Sequence, residues 1–360
     1  MMKNRLLVVD RTQYGYQTGS YKYVQYLKDK YDITYICFDQ NKSHYEEEGV
    51  EIIYISRSSS FWKRIYTFIS HVLDIIKRDS HDIILIRYFF LSSLIPFLSK
   101  KRSVLNIRTG SVGFNPFKNL LLDKIMLFES RFFDRVLVIS ASLAKKLSFN
   151  SYKVDILPLG SDILSFKSKD YSKLHLFYMG SLALRGIDQT IEGIYIFLQK
   201  NRDIEIKYDI IGRGGAVDVA SIESAIKRFK LEEYVFFHGE KRHSELGDYF
   251  DSSTVGVSYI PMTSYFDCQP PTKTFEYLGA GMVCLATRTA ENIAVINEKN
   301  GQLCDDNPES FADALKEIYL KRDGYRTSAI QASLKEYQWR DIVNDRLYPA
   351  LEMVRDGVSS

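Results

Sequence analysis

The chain opens with an apolar run at residues 6–9, a polar loop holding Gly15 and Gly19, an amphipathic stretch at about 21–28, and a second apolar run at 33–38. This order predicts strand, glycine loop, helix and strand, the start of a β-α-β unit. Apolar runs recur at 51–55, 83–86, 104–107, 136–139 and 155–157, and between them lie helix-spaced patterns at 62–77, 120–131 and 141–147. The runs are continuous rather than alternating, as expected of parallel strands covered on both faces. The pattern then restarts. A strand at 174–178 leads into a glycine loop at 179–186, a helix at 187–200, and a strand at 206–211 that ends in Gly212-Arg-Gly-Gly215. A helix near 221–229, strands at 234–237 and 255–259, and a helix at 308–320 follow. The expected fold class is α/β with two Rossmann-like domains, 1–160 and 161–337. A Ser/Lys/Asp-rich linker near 160–173 joins them, and a C-terminal helix at about 338–356 crosses back to the first domain.

One segment carries more chemistry than the rest: Gln269-Pro-Pro-Thr-Lys-Thr-Phe-Glu-Tyr-Leu-Gly-Ala-Gly281, followed by the apolar run 282–286. Pro270 and Pro271 set a helix start, because proline loses nothing in a first turn. The amides of Thr272, Lys273 and Thr274 are then expected free at a positive helix end, with the Lys273 charge beside them, which suits a phosphate. Glu276, one turn on, is set to accept from sugar hydroxyls. The segment reads as a nucleotide-sugar site.

Composition narrows this picture. At 360 residues the chain suits two domains, and 45% apolar with 26% charged residues are the proportions of a folded protein. Cys37, Cys268, Cys284 and Cys304 are scattered with no C-x-x-C pair, so neither a zinc cage nor a disulfide framework is expected, and a reducing cytoplasm fits. No signal-peptide h-region appears, and the longest apolar stretch, 83–98, is interrupted by Arg87, Ser92 and Ser93, so no membrane span is expected. The net charge of +3 is unevenly divided: Arg57 to Lys146 holds 16 Lys plus Arg against 6 Asp plus Glu, +10, leaving −7 elsewhere. That segment also holds Phe61, Trp62, Tyr88, Phe89, Phe90, Phe97, Phe114 and Phe117. A basic, aromatic-rich half suggests an anionic partner, either a lipid surface at the inner face of the plasma membrane or a polyanionic acceptor; solvated lysines over an aromatic core are the plain alternative. No nucleic-acid module is present, and nucleic acid is not an expected partner. No D-x-D occurs, so no metal clamp is encoded.

In order along the chain stand M-G-S-L-x-x-x-R-G, I-I-G-R-G-G, F-x-G-E, P-P-T-K-T-F-E-Y-L-G-A-G and N-G-Q-L, preceded by V-L-V-I-S and L-P-L-G-S-D. Together they resemble the donor half of the retaining family 4 glycosyltransferases (glycosyl transferases group 1), which have the GT-B fold of two Rossmann-like domains facing across a cleft. The resemblance covers roughly residues 136–304. It implies a retaining, metal-independent transfer of a sugar from a nucleotide-diphosphate sugar, UDP-sugar favoured over GDP-sugar, with no other cofactor. The acceptor would be a glycan or lipid-linked hydroxyl in bacterial surface polysaccharide synthesis.

By that resemblance Arg185, Lys273 and Glu276 form the catalytic set. Gly180, Ser181, Arg185 and Gly186 form a phosphate clamp, where Gly180 admits the donor backbone-close and Arg185 offers a forked donor; Arg185 as a mere turn cap is the other reading. Ser181 stands where the family has an arginine, and Lys273 supplies the missing charge. Thr272 and Thr274 add the helix start, and Glu276 binds ribose. The family's other glutamate is absent: Cys268 occupies its place, with Asp267 or Gln269 as substitutes, or Cys268 itself as a nucleophile. Gly212, Arg213 and Gly214 either admit the pyrophosphate or make a structural turn. Lys241, with His238 and Arg242, lies where base contacts fall, although His238 alone reads as a core histidine. In the first half Gly15, Gly19, Arg108 and Thr109 lie in loops after strands, suited to an acceptor; Arg108 also reads as a plain structural arginine. Two rivals stay open: a GT-B-shaped sugar-nucleotide epimerase, and a non-catalytic nucleotide-sugar-binding protein.

Overall fold

The computed structural model of the chain describes residues 3–111, 115–149, 152–242 and 245–357. Two compact units emerge, one comprising residues up to Leu159 and again from Trp339 on, the other Gly160 to Gln338.

The first unit runs β1 (Asn4–Val9), α1 (Thr18–Leu27), β2 (Tyr31–Asp39), β3 (Val50–Ser56), α2 (Phe61–Arg78), β4 (Ile83–Arg87), α3 (Leu94–Ser99), β5 (Ser103–Ile107), α4 (Pro116–Glu129), β6 (Arg135–Val138), α5 (Ala141–Lys146) and β7 (Val154–Ile156). Its seven strands are parallel in the order β3-β2-β1-β4-β5-β6-β7. Leu6, Leu7, Val9, Ile83, Ile84, Val104 and Leu105 are wholly buried, so the central strands are covered on both faces.

The second unit runs β8 (Leu174–Ser181), α6 (Ile187–Lys200), β9 (Ile206–Arg213), α7 (Ala216–Phe229), β10 (Val235–Phe237), α8 (Gly247–Ser252), β11 (Val255–Ser258), α9 (Thr272–Gly279), β12 (Val283–Thr287), α10 (Ala290–Ile293), β13 (Gly301–Cys304), α11 (Pro308–Leu320) and α12 (Thr327–Ala332). Six parallel strands lie in the order β10-β9-β8-β11-β12-β13. In each sheet the first strand has a neighbour on both sides and the order reverses there, between β1 and β4 and between β8 and β11. The carboxyl ends of strands at such a reversal leave room for a ligand.

Three expectations change. Met179, Gly180 and Ser181, read as loop, extend β8, and Gly212 and Arg213 extend β9, with Gly180 opposite Gly212 and Ser181 opposite Arg213. The ladder continues past the apolar run because Gly212 has no side chain: a Cβ there would meet the Gly180 carbonyl. The segment expected as a Ser/Lys/Asp-rich linker packs as part of the second unit. Lys169 is buried with its ammonium donating to the carbonyls of Phe250 and Asp251, and burial pulls it down to about 8. Tyr171 donates to the Gly281 carbonyl at 2.6 Å. The C-terminal stretch is also not one regular helix: α13 (Trp339–Ile342) passes through a π turn, Val343–Leu347, into α14 (Tyr348–Asp356). Pro349 lies at the start of α14 and has no amide to offer the preceding turn, which accounts for the break in register. This segment packs on its own unit, with Trp339 buried 5.9 Å from the Tyr23 ring, Tyr31 donating to Glu352 at 2.5 Å, and Arg102 donating to the Val354 carbonyl at 2.7 Å.

Candidate functional site

In the second unit, the ends of β8 and β9 and the start of α9 bring the expected cations to one place. Gly180 has φ +128°, and the site where a Cβ would stand is 3.5 Å from the Lys273 Nζ. A side chain there would be strained by the backbone angle and would lie in contact with the lysine. Lys273 Nζ is buried, makes no hydrogen bond, and sits 3.8 Å from the centre of the Tyr178 ring. Burial holds this amine well below the usual lysine value, and the Arg185 charge lowers it further, against a raising effect of Glu276. Arg185 is itself held 4.2 Å over the Phe266 ring. A buried lysine beside a second cation without a full counter-charge is costly, and an anion would relieve it.

The supporting shell is rigid. Tyr277, fully buried on α9, accepts from the Met179 amide at 2.9 Å, and Tyr178 donates to the Ser181 carbonyl at 2.5 Å, so both fix the end of β8. Gly186, with φ +62°, precedes α6 and lies against Gln189, to which Tyr259 donates at 2.5 Å. Tyr178, Tyr259 and Tyr277 carried no signal as site neighbours, since buried aromatics at strand and helix positions read as core, and Phe266 lies where no element was expected.

Other assigned residues are engaged elsewhere. The Thr274 amide donates to the Pro271 carbonyl at 3.1 Å, leaving Thr272 and Lys273 as the first amides of α9. The Thr274 hydroxyl is buried between Ser258, 2.7 Å, and Asn292, 2.9 Å, so it is a core group and not a donor contact. Asp267 accepts from the Ala290 amide at 2.8 Å and thereby caps α10. The Cys268 thiol is buried and donates toward the carbonyls of Tyr265 and Ser264, an inward-facing position for a group considered as a nucleophile. Gln269 and Glu276 are half-buried. In the Gly212-Arg-Gly-Gly215 segment, where β9 passes into α7, the Gly215 amide is taken by Asp218 at 2.7 Å, a Cβ on Gly214 would strike that side chain, and Arg213 faces Glu240 at 3.6 Å. Lys241 lies 5.9 Å from the Tyr249 ring centre.

Behind this edge sits a charge cluster the sequence did not reveal. Asp209, wholly buried on β9, takes His175 at 2.6 Å and Lys207 at 2.7 Å on one oxygen and His238 at 2.7 Å on the other. Burial alone would raise this carboxyl; the bonds from His175, Lys207 and His238 outweigh it and hold it far below its usual range. His238 is therefore a satisfied histidine, and the next residue, Gly239, accepts from the Gly212 amide at 2.8 Å.

In the first unit the four assigned residues are mainly structural. Arg108 is buried, donates to the Tyr23 hydroxyl at 2.8 Å and the Leu157 carbonyl at 3.2 Å, and is lowered by burial, contacts that suit the structural of its two readings. Gly19 is not in a loop but in α1, 3.4 Å from the Arg108 guanidinium at its would-be Cβ. Gly15, with φ +86°, is covered by the Tyr45 ring, and Thr109 donates to the Gly110 carbonyl at 2.9 Å. Val112 and Gly113 of the Arg108 loop, and Phe114, lie outside the described residues.

Residues 173–321 match the family model described as Glycosyl transferases group 1. No curated protein matches the chain. Among solved structures, sucrose-phosphate synthase from Thermosynechococcus elongatus is similar with a TM-score of 0.77 at 14% identity, covering 97% of this chain and 99% of that one. The Anabaena protein HepE, solved with UDP and glucose, has a TM-score of 0.75 at 12% identity over 96% and 99%. A glycosyltransferase from Rickettsia africae has 0.72 at 13% over 98% and 99%. At such identities the likeness is one of fold. The second unit thus matches the glycosyl transferases group 1 model, and the chain has the two-sheet α/β fold of the GT-B glycosyltransferase structures.

Proposed function

We propose that this chain is a retaining glycosyltransferase of the family 4 type that moves a sugar from a nucleotide-diphosphate sugar, a UDP-sugar rather than a GDP-sugar, to the hydroxyl of a glycan or lipid-linked acceptor. The observation that carries the reading is the buried, hydrogen-bond-free Lys273 ammonium set against Gly180 with Arg185 nearby. A diphosphate laid along the end of β8 would meet Lys273, Arg185 and the first amides of α9. These preorganised donors stabilise the charge that grows on the departing diphosphate, without a metal. Gly180, Ser181 and Gly186 give the backbone room to approach it, and Glu276 takes the ribose hydroxyls.

The likeness to a structure holding UDP and glucose favours uridine. Surface-polysaccharide synthesis, whether capsule, O-antigen or exopolysaccharide, and attachment from the cytoplasm to an anionic membrane face complete the reading. The exposed Trp62, Tyr66, Phe117, Leu120 and Leu121 beside Lys63, Lys118 and Lys124 support that attachment. No helix among the described residues is long and apolar enough to cross a membrane.

Thermal unfolding with UDP, GDP and their sugars tests the donor site. UDP at 100 times its dissociation constant adds roughly 2.7 kcal/mol of stability, and Arg185→Ala should remove most of that gain. Absence of any shift with every nucleotide would overturn the assignment. Binding without hydrolysis or transfer to any acceptor would instead favour a sugar-nucleotide-binding protein.

A further inference from the structure

A second basic site lies in the first unit, at the carboxyl edge of β3, β2 and β1. Arg11 follows β1, Arg57 follows β3, and Arg64 is in the first turn of α2; with Phe61 and Gln40 they line a cavity of about 320 Å³. Among the described residues no carboxylate lies within ion-pair distance of Arg11, Arg57 or Arg64. Arg87, by contrast, is paired with Asp10 at 3.3 Å and bonded to Thr12 at 3.2 Å. Asp10 also accepts from the Ser20 hydroxyl at 2.6 Å and from the Thr12 amide at 2.8 Å, so its oxygens are already engaged. The Arg11 guanidinium is fixed 5.2 Å from the centre of the Phe89 ring. Although Arg11 keeps an exposed surface, partial desolvation lowers its affinity for its proton; Asp10 opposes this, and the charges of Arg64, Arg87 and Arg57 add to it. Asp10 is shared with Arg87, and one carboxylate does not balance four guanidiniums; the remaining cations repel one another, and an anion would complete the set.

The shape of the site adds a second property. Phe61 walls the cavity and leads into an aromatic group in which it stands 5.2 Å from Trp62 and 6.4 Å from Phe90. Phe61 and Trp62 are about half and two-thirds exposed, at 47% and 64%. An anion held by the arginines would thus carry its attached group past an exposed aromatic wall. The volume is at the lower end for small-molecule pockets and sufficient for a phosphate or diphosphate.

We propose that Arg11, Arg57 and Arg64 bind the phosphate or diphosphate group of the sugar acceptor. Calling that group the acceptor's rests on the transferase reading above; the anion site itself stands without it. Forked guanidinium donors match phosphate oxygens, and their convergence on one cavity selects a compact polyanion over a diffuse one. The chemistry is shared by a soluble sugar phosphate and by a lipid-linked diphosphate.

Calorimetric titration of the full chain with inorganic pyrophosphate, in saturating UDP so that the donor site is filled, tests the site. Arg57→Gln and Arg64→Gln should each weaken pyrophosphate by about tenfold or more, as loss of a charge-assisted bond implies, and leave UDP affinity unchanged. Arg185→Gln should do the opposite. Pyrophosphate affinity that is unaltered in both Arg57→Gln and Arg64→Gln, or that falls only in Arg185→Gln, overturns the proposal. If UDP does not bind at all, the donor reading has failed, and the same comparison without UDP still decides the arginine site. Arg57 is exposed, so its variant leaves the core intact. Competition then identifies the source. Displacement of pyrophosphate by glucose 6-phosphate points to a soluble acceptor, displacement by farnesyl diphosphate points to a lipid-linked one, and displacement by neither overturns the acceptor assignment.

Discussion

The two units place a glycine loop at the same topological point, after the first strand of a parallel sheet, yet the loops are built for opposite ends. In the first unit Gly15 lies beneath the Tyr45 ring, and Tyr14 is buried with its ring 4.9 Å from Tyr35 and 5.5 Å from Tyr21. Gln13 completes the closure: its amide donates to the carbonyls of Lys42 and Ser43 at 2.9 and 3.1 Å, and its oxygen accepts from the Gln40 amide at 2.8 Å. In the second unit Ser181 and Leu184 are exposed, and what lies against Gly180 is the Lys273 ammonium without a hydrogen bond. A loop whose polar groups are satisfied internally is finished; one that leaves a buried cation unsatisfied is incomplete without a ligand. Glycines alone do not tell these apart. Their neighbours do.

The sharpest way to break this contrast is Lys273→Met. Methionine keeps the length and removes the buried amine, so the free protein should gain about 1–3 kcal/mol, since an unsatisfied polar group has left the interior. UDP affinity should fall roughly a hundredfold, the loss of a bond to a charged group. Thermal unfolding and calorimetry measure the two separately, and a drop in both stability and affinity would mean that Lys273 is structural. The native lysine should also link binding to pH. Burial and Arg185 hold its free value well below the ordinary one, and a bound diphosphate must raise it. Between those two values binding takes up a proton, so affinity weakens as pH rises. Titrations in buffers of different ionisation enthalpy that detect no proton uptake at any pH would contradict this.

The first loop should respond in the other currency. Gly15→Ala places a Cβ 2.5 Å from the Tyr45 ring at a φ of +86°, and should cost about 1–3 kcal/mol of stability while leaving UDP affinity as it was. Loss of nucleotide binding without loss of stability would reverse the roles assigned to the two loops.

What the sequence revealed follows from how local each signal is. Strands were legible because parallel strands are buried on both faces and read as unbroken apolar runs. The four-residue β13 was missed because Gly-Gln-Leu-Cys has no such run, and the ends of β8 and β9 because glycine and polar residues seldom signal a ladder. Within the site, Lys273 stood out as a cation at a helix start, and Gly180 and Arg185 through the family resemblance of their motif. The fate of Thr274 depends on Ser258 and Asn292, 16 and 18 residues away, and that of Arg108 on Tyr23, 85 residues away. Neither partner is visible from the neighbourhood of the residue itself. The same holds for Arg11, Arg57 and Arg64, which only the β3-β2-β1 order draws together, although the excess charge between Arg57 and Lys146 hinted at two of them.

The mildest test concerns Gly19, which the sequence suggested as an open-loop glycine and the fold puts in the first turn of α1. A methyl group there would stand 3.4 Å from the Arg108 guanidinium, an ordinary contact. Arg108 cannot retreat, since Tyr23 and the Leu157 carbonyl hold it. Alanine in a helix gains roughly 0.5–1 kcal/mol over glycine through the unfolded chain's lost freedom, and a contact at the near edge of the ordinary range takes little of that away. Gly19→Ala should therefore leave the unfolding temperature unchanged or slightly raised, with pyrophosphate and UDP affinities both intact. A loss of more than about 1 kcal/mol would mean that the α1–Arg108 packing has no room to give. A selective loss of anion binding would return Gly19 to the ligand-facing role and weaken the contrast between the two loops.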